Sequence, residues 1–71
     1  MTFEEFFKRC WFWFYHNDET NEYEIEVGIT IDPYYVYEDW YEVTKEFFSD
    51  VSSKEIVARW FYDNLKKEKR I

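Results

Sequence analysis

The stretch that decides the fold is "CWFWFYHNDETNEYEIEVGITI", residues 10–31. In its second half, apolar side chains occupy every second position, whereas the positions between them are acidic or small. A period of two is typical of a strand with one buried face. A strand alone leaves its backbone N–H and C=O groups unpaired, so the pattern requires a neighbouring strand. The alternating apolar residues are Tyr23, Ile25, Val27, Ile29 and Ile31.

The neighbour that the sequence offers is the aromatic run at residues 10–16. Aromatic residues favour strands, and the polar segment "NDETN", residues 17–21, is typical of a hairpin loop. We therefore expect residues 10–16 to pair with residues 22–31. The aromatic run also fits a helical wheel. In that alternative, the strand at residues 22–31 would pair with a second copy of the chain or with a partner protein, by β-augmentation.

Capping boxes predict a helix at each end of the chain. Thr2 with Glu5 predicts a helix that begins at residue 2 or 3, and Ser52 with Glu55 predicts another. The last helix should end among lysines and arginines, where cations interact favourably with the helix dipole. The buried stripe that we expect for it consists of Ile56, Val57, Trp60, Phe61 and Leu65.

A further helix is predicted between residues 33 and 50. Asp32 followed by Pro33 is typical of an N-cap and a first helical position. On a helical wheel, the apolar residues between Val36 and Phe48 fall in one arc of about 160°, and acidic residues fill most of the other arc. The predicted fold is therefore α+β, in a single small domain over residues 1–71. It consists of an N-terminal helix, a two-stranded antiparallel hairpin and two C-terminal helices.

Aromatic residues make up 27% of the chain, with four Trp, seven Tyr and eight Phe. A chain of this length buries only about 60% of the surface that its unfolded form exposes. The core cannot accommodate every ring, so some Trp and Tyr side chains must lie at the surface. Exposed Trp and Tyr are enriched at protein–protein interfaces, because they offer a large contact area at a small entropic cost.

The composition argues against several functional classes. Cys10 is the only cysteine, so no internal disulfide forms, and we expect a packed thiol in a cytoplasmic protein. His16 is the only histidine, so a catalytic group with a His base is not expected. We predict no enzymatic activity, no cofactor and no metal site. No apolar run is long enough to span a membrane, and no signal sequence is recognisable.

The acidic residues are concentrated in the middle of the chain, although the net charge is only −7. Residues 17–50 carry eleven acidic side chains against Lys45 alone, whereas residues 51–71 carry a small excess of basic side chains. On a strand, carboxylates at every second position lie about 6.6 Å apart. On the predicted helix, Glu38, Glu42 and Glu46 would share one face at about 6 Å. The candidate partner-binding residues are Glu22, Glu24, Glu26, Tyr34, Tyr35, Glu38, Asp39, Glu42 and Glu46.

Rows of carboxylates at these intervals resemble the charge density of a nucleic-acid backbone in outline. Such a surface repels DNA and RNA, so we expect no direct nucleic-acid binding. It is steered instead towards a basic surface that binds nucleic acid. The alternative is that the acidic residues only form a solvated face that aids solubility.

In charge and composition, the segment Asp18–Asp50 resembles the small acidic proteins that phages encode against host defence, of the anti-CRISPR and anti-restriction type. This resemblance implies a non-enzymatic inhibitor that occupies the nucleic-acid-binding surface of a nuclease or CRISPR effector in the host bacterial cell. The sequence "DPYYVY", with Tyr34 and Tyr35, is also similar to the acidic, tyrosine-bearing surface of nuclease-bacteriocin immunity proteins. Those proteins are all-helical, and the strand at residues 22–31 departs from their pattern. A self-associating structural module, such as a homodimer, is the third hypothesis.

Overall fold

The chain folds into a three-stranded antiparallel sheet with its helices packed on one face. The computed structural model describes all 71 residues, and the strands follow one another in the sheet in the order β1-β2-β3. None of the helices has both the length and the apolar character needed to cross a membrane. The elements are α1 (Phe3–Arg9), β1 (Trp11–Asn17), β2 (Glu22–Asp32), β3 (Tyr35–Val43), α2 (Lys45–Phe48) and α3 (Ser53–Lys67).

The hairpin expected from residues 10–31 is present. Strands β1 and β2 pair antiparallel from Trp11 opposite Gly28 to Asn17 opposite Glu22. The side-chain Oδ1 of Asn17 accepts hydrogen bonds from two backbone N–H groups of the loop, at 2.9 and 3.2 Å. Asn21 closes the loop with a φ of 59°, a left-handed conformation that Asn tolerates better than most residues. The polar loop therefore supplies its own backbone partners.

The helix predicted for residues 33–50 is wrong, because most of this segment forms β3 and only Lys45–Phe48 is helical. The misleading signal was Asp32 before Pro33. Oδ1 of Asp32 accepts a hydrogen bond from the N–H of Tyr34, two residues further on, at 2.8 Å. An N-cap makes the same bond to the second helical residue, but here it stabilises an Asx turn between two strands. The fold is α+β, with a three-stranded sheet in place of the predicted two-stranded hairpin.

The residues of β3 satisfy the period of a strand as well as that of a helix. Tyr37, Tyr41 and Val43 are half-buried on the helix side of the sheet, and Val36, Glu38, Trp40 and Glu42, at the alternate positions, face away. Two of these three helix-facing residues are tyrosines, whose rings fit a pleated surface well. Pairing with β3 also supplies β2 with a second row of backbone hydrogen bonds. The central strand is thereby paired along both edges.

The core lies between β2 and the two longer helices. Phe6 is fully buried, and its ring meets those of Phe61 at 5.6 Å and Tyr62 at 5.0 Å. The buried stripe of α3 differs from the predicted one, because Ile56 and Trp60 are partly exposed. Ala58 and Tyr62 are buried instead. The core cluster is Phe6, Ile25, Val27, Ile29, Val57, Phe61, Tyr62 and Leu65.

The two predicted capping boxes have different outcomes. Helix α1 begins as expected, and Oγ1 of Thr2 accepts a hydrogen bond from the N–H of Glu5 at 3.2 Å. At the start of α3, the side chain of Ser52 makes no capping hydrogen bond. The N–H of Ser52 instead donates to Oδ1 of Asp50 at 2.7 Å. The prediction of a capping box at Ser52 is therefore wrong, although the helix starts at the expected place.

Candidate functional site

The most distinctive surface of the protein is the face of the sheet that carries no helix. Because the residues of β2 at positions 25, 27 and 29 are buried under the helices, the alternate positions of all three strands lie on the opposite side. We call this surface the outer face. It is formed by Trp11, Trp13, Tyr15, Glu22, Glu24, Glu26, Gly28, Thr30, Val36, Glu38, Trp40 and Glu42.

The large rings of the outer face are exposed and pack against no other ring. Trp13 and Trp40 are 64% and 63% exposed, and Trp11 and Tyr15 are 39% and 47% exposed. Every aromatic pair in the protein is formed elsewhere, mainly among the rings that face the helices. A small domain that leaves three indoles in solvent on one face has not used them for its own core.

The strand register arranges these residues in rows across the sheet. One row runs from Trp13 through Glu26 to Trp40, so that a carboxylate stands between two indoles. In such rows, the Cβ atoms of directly opposite residues lie about 4.5–5.5 Å apart. Glu26 is half-buried, whereas both flanking tryptophans are exposed. The carboxylate side chain is therefore less exposed than the indoles on either side of it.

The neighbouring row places two carboxylates directly opposite each other. Glu24 of β2 pairs with Glu42 of β3, and Tyr15 completes the row on β1. Like charges in directly opposite positions destabilise a sheet. The two ion pairs in the protein are His16 with Asp18 and Arg70 with Glu68, so no outer-face glutamate has an internal cation. The surface therefore carries uncompensated negative charge.

Five of the protein's nine basic side chains contact rings or backbone oxygen atoms rather than the outer-face glutamates. The guanidinium of Arg59 lies 3.8 Å from the ring centroid of Phe3, and the ammonium of Lys54 lies 5.7 Å from that of Phe12. Arg9 is also engaged, because its Nη2 donates to the backbone oxygen atoms of Thr30 and Ile31 at 2.8 and 3.1 Å. The other two cations that contact rings are Lys66, over Tyr62, and Arg70, over Tyr37. None of these five cations forms an ion pair with an outer-face glutamate.

The structure brings together five of the nine residues predicted to bind a partner, namely Glu22, Glu24, Glu26, Glu38 and Glu42. The other four lie elsewhere. Tyr34 and Tyr35 stand at the β2–β3 turn, 89% and 58% exposed. Asp39 belongs to the helix side of β3, and Glu46 is exposed on α2. The prediction that Glu38, Glu42 and Glu46 share a helical face is wrong, because Glu38 and Glu42 lie two and six positions after Val36 in β3, whereas Glu46 lies on α2.

Asp39 has local partners rather than a place on the outer face. Its Oδ1 accepts a hydrogen bond from the N–H of Trp40 at 2.8 Å. Burial raises the pKa of the neighbouring Tyr41, and the Asp39 carboxylate raises that pKa further. Nδ2 of Asn64 on α3 contacts the hydroxyl oxygen of Tyr41 at 3.4 Å. Asp39 therefore belongs to the junction between β3 and α3.

The aromatic members of the outer face were missed by the sequence interpretation. Trp40 was assigned to the buried arc of a helix, and Trp11, Trp13 and Tyr15 were treated only as part of an aromatic run. The sequence signal that identifies them is the alternation of side chains with a period of two in β1. In "WFWFY", the tryptophans alternate with Phe12 and Phe14, and the phenylalanines are the ones that pack against the core. The alternation of Trp and Phe separates the two faces of β1.

The only glycine supports this arrangement of rings. A Cβ added at Gly28 would lie 2.0 Å from Cζ2 of Trp11, directly across the sheet. The backbone of Gly28 has no positive φ, so a side chain is excluded by space rather than by backbone conformation. Gly28 is buried although it faces outward, because the indole of Trp11 covers it. An aromatic residue across from a strand glycine stabilises such a site.

Replacement of Gly28 by Ala is expected to lower the free energy of unfolding by about 1 kcal/mol, because the displaced indole loses its packing. In a Trp11→Ala background, the same change should be neutral or stabilising, since Ala is preferred over Gly in a strand by about 0.5–1 kcal/mol. Urea denaturation of the four variants measures both effects. The same sign for Gly28→Ala in both backgrounds would contradict the proposed contact.

Cys10 is a half-buried thiol between α1 and β1. Burial raises its pKa from 9.0 to about 11, and it packs against the core cluster. A thiol with a raised pKa is mostly protonated at neutral pH, and the thiolate is the nucleophilic form. The side chain therefore contributes packing rather than reactivity.

Comparison of the chain with protein-family models, with curated proteins and with solved structures gives no match.

Proposed function

We propose that the protein is a non-enzymatic inhibitor that binds the basic nucleic-acid-binding surface of a host defence nuclease or CRISPR effector in the bacterial cytoplasm. The observation that carries this proposal is the outer face, on which five glutamates without internal cations share one surface with exposed indoles. The proposal treats this face as an acidic mimic of a nucleic acid.

Charge and rings contribute in different ways. Along β2, the carboxylates of Glu22, Glu24 and Glu26 follow one another at about 6.6 Å. A surface with this charge repels nucleic acid and attracts the basic surface that binds it, which raises the rate of association. Exposed indoles supply the desolvated contact area from which most interface affinity comes. Steering and affinity are thus provided by the same face.

Self-association through the outer face is the competing function. Two copies stacked face to face would bring two sets of five glutamates together with no cation between them. Such like-charge contact costs free energy, so the uncompensated charge favours a basic partner over a second copy. An immunity-type inhibitor of a nuclease is the other alternative, and it shares the prediction of a basic partner.

The experiment is capture of partners from nuclease-treated bacterial lysate at low salt, followed by elution with a short duplex DNA or RNA. A mimic is displaced by the nucleic acid that it imitates, so the bound protein should be released by the oligonucleotide. The released protein, once purified, should lose nucleic-acid binding when this protein is added. Recovery of the bait alone, in multiples of its own mass, would instead support self-association and contradict the proposal.

A further inference from the structure

We propose that the outer face binds an arginine side chain of its partner in a slot between Trp13 and Trp40, above the carboxylate of Glu26. This inference rests on the proposed function, and it specifies the chemistry of the contact. The partner is a protein surface or peptide segment that presents an exposed guanidinium group.

The dimensions of the slot suit a planar group. Trp13, Glu26 and Trp40 occupy directly paired positions on three adjacent strands. Because neighbouring strands lie about 4.8 Å apart, the two tryptophan backbones are separated by about 9.6 Å. Side chains stand roughly perpendicular to a sheet. A flat group stacked between two rings needs about 7 Å, or two contacts of about 3.5 Å, and the strand spacing leaves that width.

Burial distinguishes the floor of the slot from its walls. Glu26 is half-buried at the centre of the sheet, whereas Trp13 and Trp40 are 64% and 63% exposed on the edge strands. The two indoles do not stack on each other or on any third ring, because Trp60 is the only tryptophan that forms aromatic pairs. A guanidinium placed between Trp13 and Trp40 meets two ring faces and the carboxylate at once.

No group of the protein itself fills this slot. The cation–ring contacts of Lys54, Arg59, Lys66 and Arg70 all involve rings on other surfaces. Glu26 forms no ion pair, and the adjacent carboxylates of Glu24 and Glu42 add negative potential beside it. The complementary occupant is therefore a cation supplied by another molecule.

Arginine fits the slot better than lysine. The guanidinium is planar, is more weakly hydrated than an ammonium, stacks on aromatic faces, and donates two parallel hydrogen bonds to a carboxylate. Lysine offers a compact and strongly hydrated charge that gains less from two flanking rings. Cations are also held more strongly by Trp than by other aromatic residues. The combination of two tryptophans with one carboxylate is thus selective for arginine.

The test uses the 15N-labelled protein and two capped peptides of equal length and charge, one with three arginines and one with three lysines. NMR titration at low salt follows the four indole N–H signals. We expect saturable shifts of the Trp13 and Trp40 signals, an unchanged Trp60 signal, and at least fivefold tighter binding of the arginine peptide. Equal affinity for the two peptides, or shifts that include Trp60 equally, would overturn the inference.

Variants locate the site. Glu26→Gln should weaken binding of the arginine peptide about tenfold, and Trp13→Ala should abolish the preference for arginine over lysine. Glu55→Gln on α3 removes the same charge far from the slot and should leave both affinities unchanged. An unchanged arginine affinity in Glu26→Gln would overturn the inference, because the carboxylate would then have no part in binding.

The same variants separate this inference from the proposed function. A captured nucleic-acid-binding protein could be displaced by an oligonucleotide and still bind the Trp13→Ala and Glu26→Gln variants with full affinity. This result would contradict the inferred arginine slot and would still support the inhibitor function. If arginine peptides bind as expected but no captured protein loses nucleic-acid binding, the result contradicts the proposed inhibitor function and supports the arginine slot.

Discussion

Replacing Phe6 by Ala is expected to remove a large part of the free energy of unfolding at 25 °C. Phe6 is fully buried, and its ring contacts those of Phe61 and Tyr62, so its removal weakens the packing of α1 on α3. A Phe to Ala change in a core costs about 3–5 kcal/mol. A domain of this length has a total stability of about 4–11 kcal/mol, at 0.05–0.15 kcal/mol per residue. Urea denaturation followed by far-UV circular dichroism measures the loss.

Trp13→Ala is the matched control, because it removes an even larger ring from the outer face of the sheet, on the side away from Phe6. Since Trp13 is 64% exposed, we expect the free energy of unfolding to change by no more than about 1 kcal/mol. A loss as large as that of Phe6→Ala would contradict this and would show that the outer face is buried against another chain. Unfolding midpoints that depend on protein concentration would then identify a second copy.

The hairpin could be predicted from the sequence because all the local signals agree. In residues 22–31, the period of two coincides with β-branched residues and with a polar loop that ends in Asn21. The start of α1 was predictable for the same reason, since the N-cap bond between Thr2 and Glu5 involves residues three apart. Such contacts are encoded locally and do not depend on the rest of the fold.

Strand β3 could not be assigned in this way because its local signals conflict. Asp32 makes the same short-range hydrogen bond in an Asx turn as in a helix N-cap, and the apolar residues of 36–48 fit a helical arc. The strand conformation of residues 35–43 is favoured by a non-local interaction, because this segment forms a second row of hydrogen bonds along β2. Strand preference depends on such neighbours more than helix preference does. The high content of Val, Tyr and Trp was the remaining local clue.

The members of the candidate site could be predicted only in β2, the site strand that the sequence pattern identifies clearly. Glu22, Glu24 and Glu26 were placed on one face correctly as a set, because they alternate within β2. The predicted helix places Asp39 beside Glu38 on its acidic face, but adjacent residues of a strand point to opposite faces. The place of the tryptophans on the outer face could be recognised only from the strand register, which sets residues of β1 and β3 on either side of β2.

Changing Glu24, Glu26 and Glu42 together to Gln is expected to have opposite effects on binding and on stability. Affinity for the captured nucleic-acid-binding protein should fall about 100-fold at low salt, because three charges at the centre of the contact are lost. The free energy of unfolding should rise by about 0.5–1 kcal/mol, because Glu24 and Glu42 no longer repel each other across the sheet. Calorimetric titration and urea denaturation measure the two quantities.

A second triple variant, Glu4, Glu19 and Glu55 to Gln, removes the same charge from exposed positions outside the outer face. It should retain affinity within about threefold and should gain no stability, since Glu4 and Glu55 lie in the first turns of helices, where carboxylates are favourable. Equal losses of affinity in the two variants would mean that binding depends only on net charge. This result would contradict the assignment of the outer face as the binding surface.

Salt provides a further distinction between the two variants. The affinity of the unmodified protein should decline steeply between about 50 and 200 mM salt, whereas that of the outer-face variant should decline less, because fewer charges are paired at the contact. The residual, salt-independent part of the affinity then measures what Trp13 and Trp40 contribute. If the outer face served only solubility, the outer-face variant would show neither the loss of affinity nor the change in salt dependence. A gain in stability without any loss of binding would mean that the three carboxylates destabilise the sheet by repulsion and take no part in partner binding.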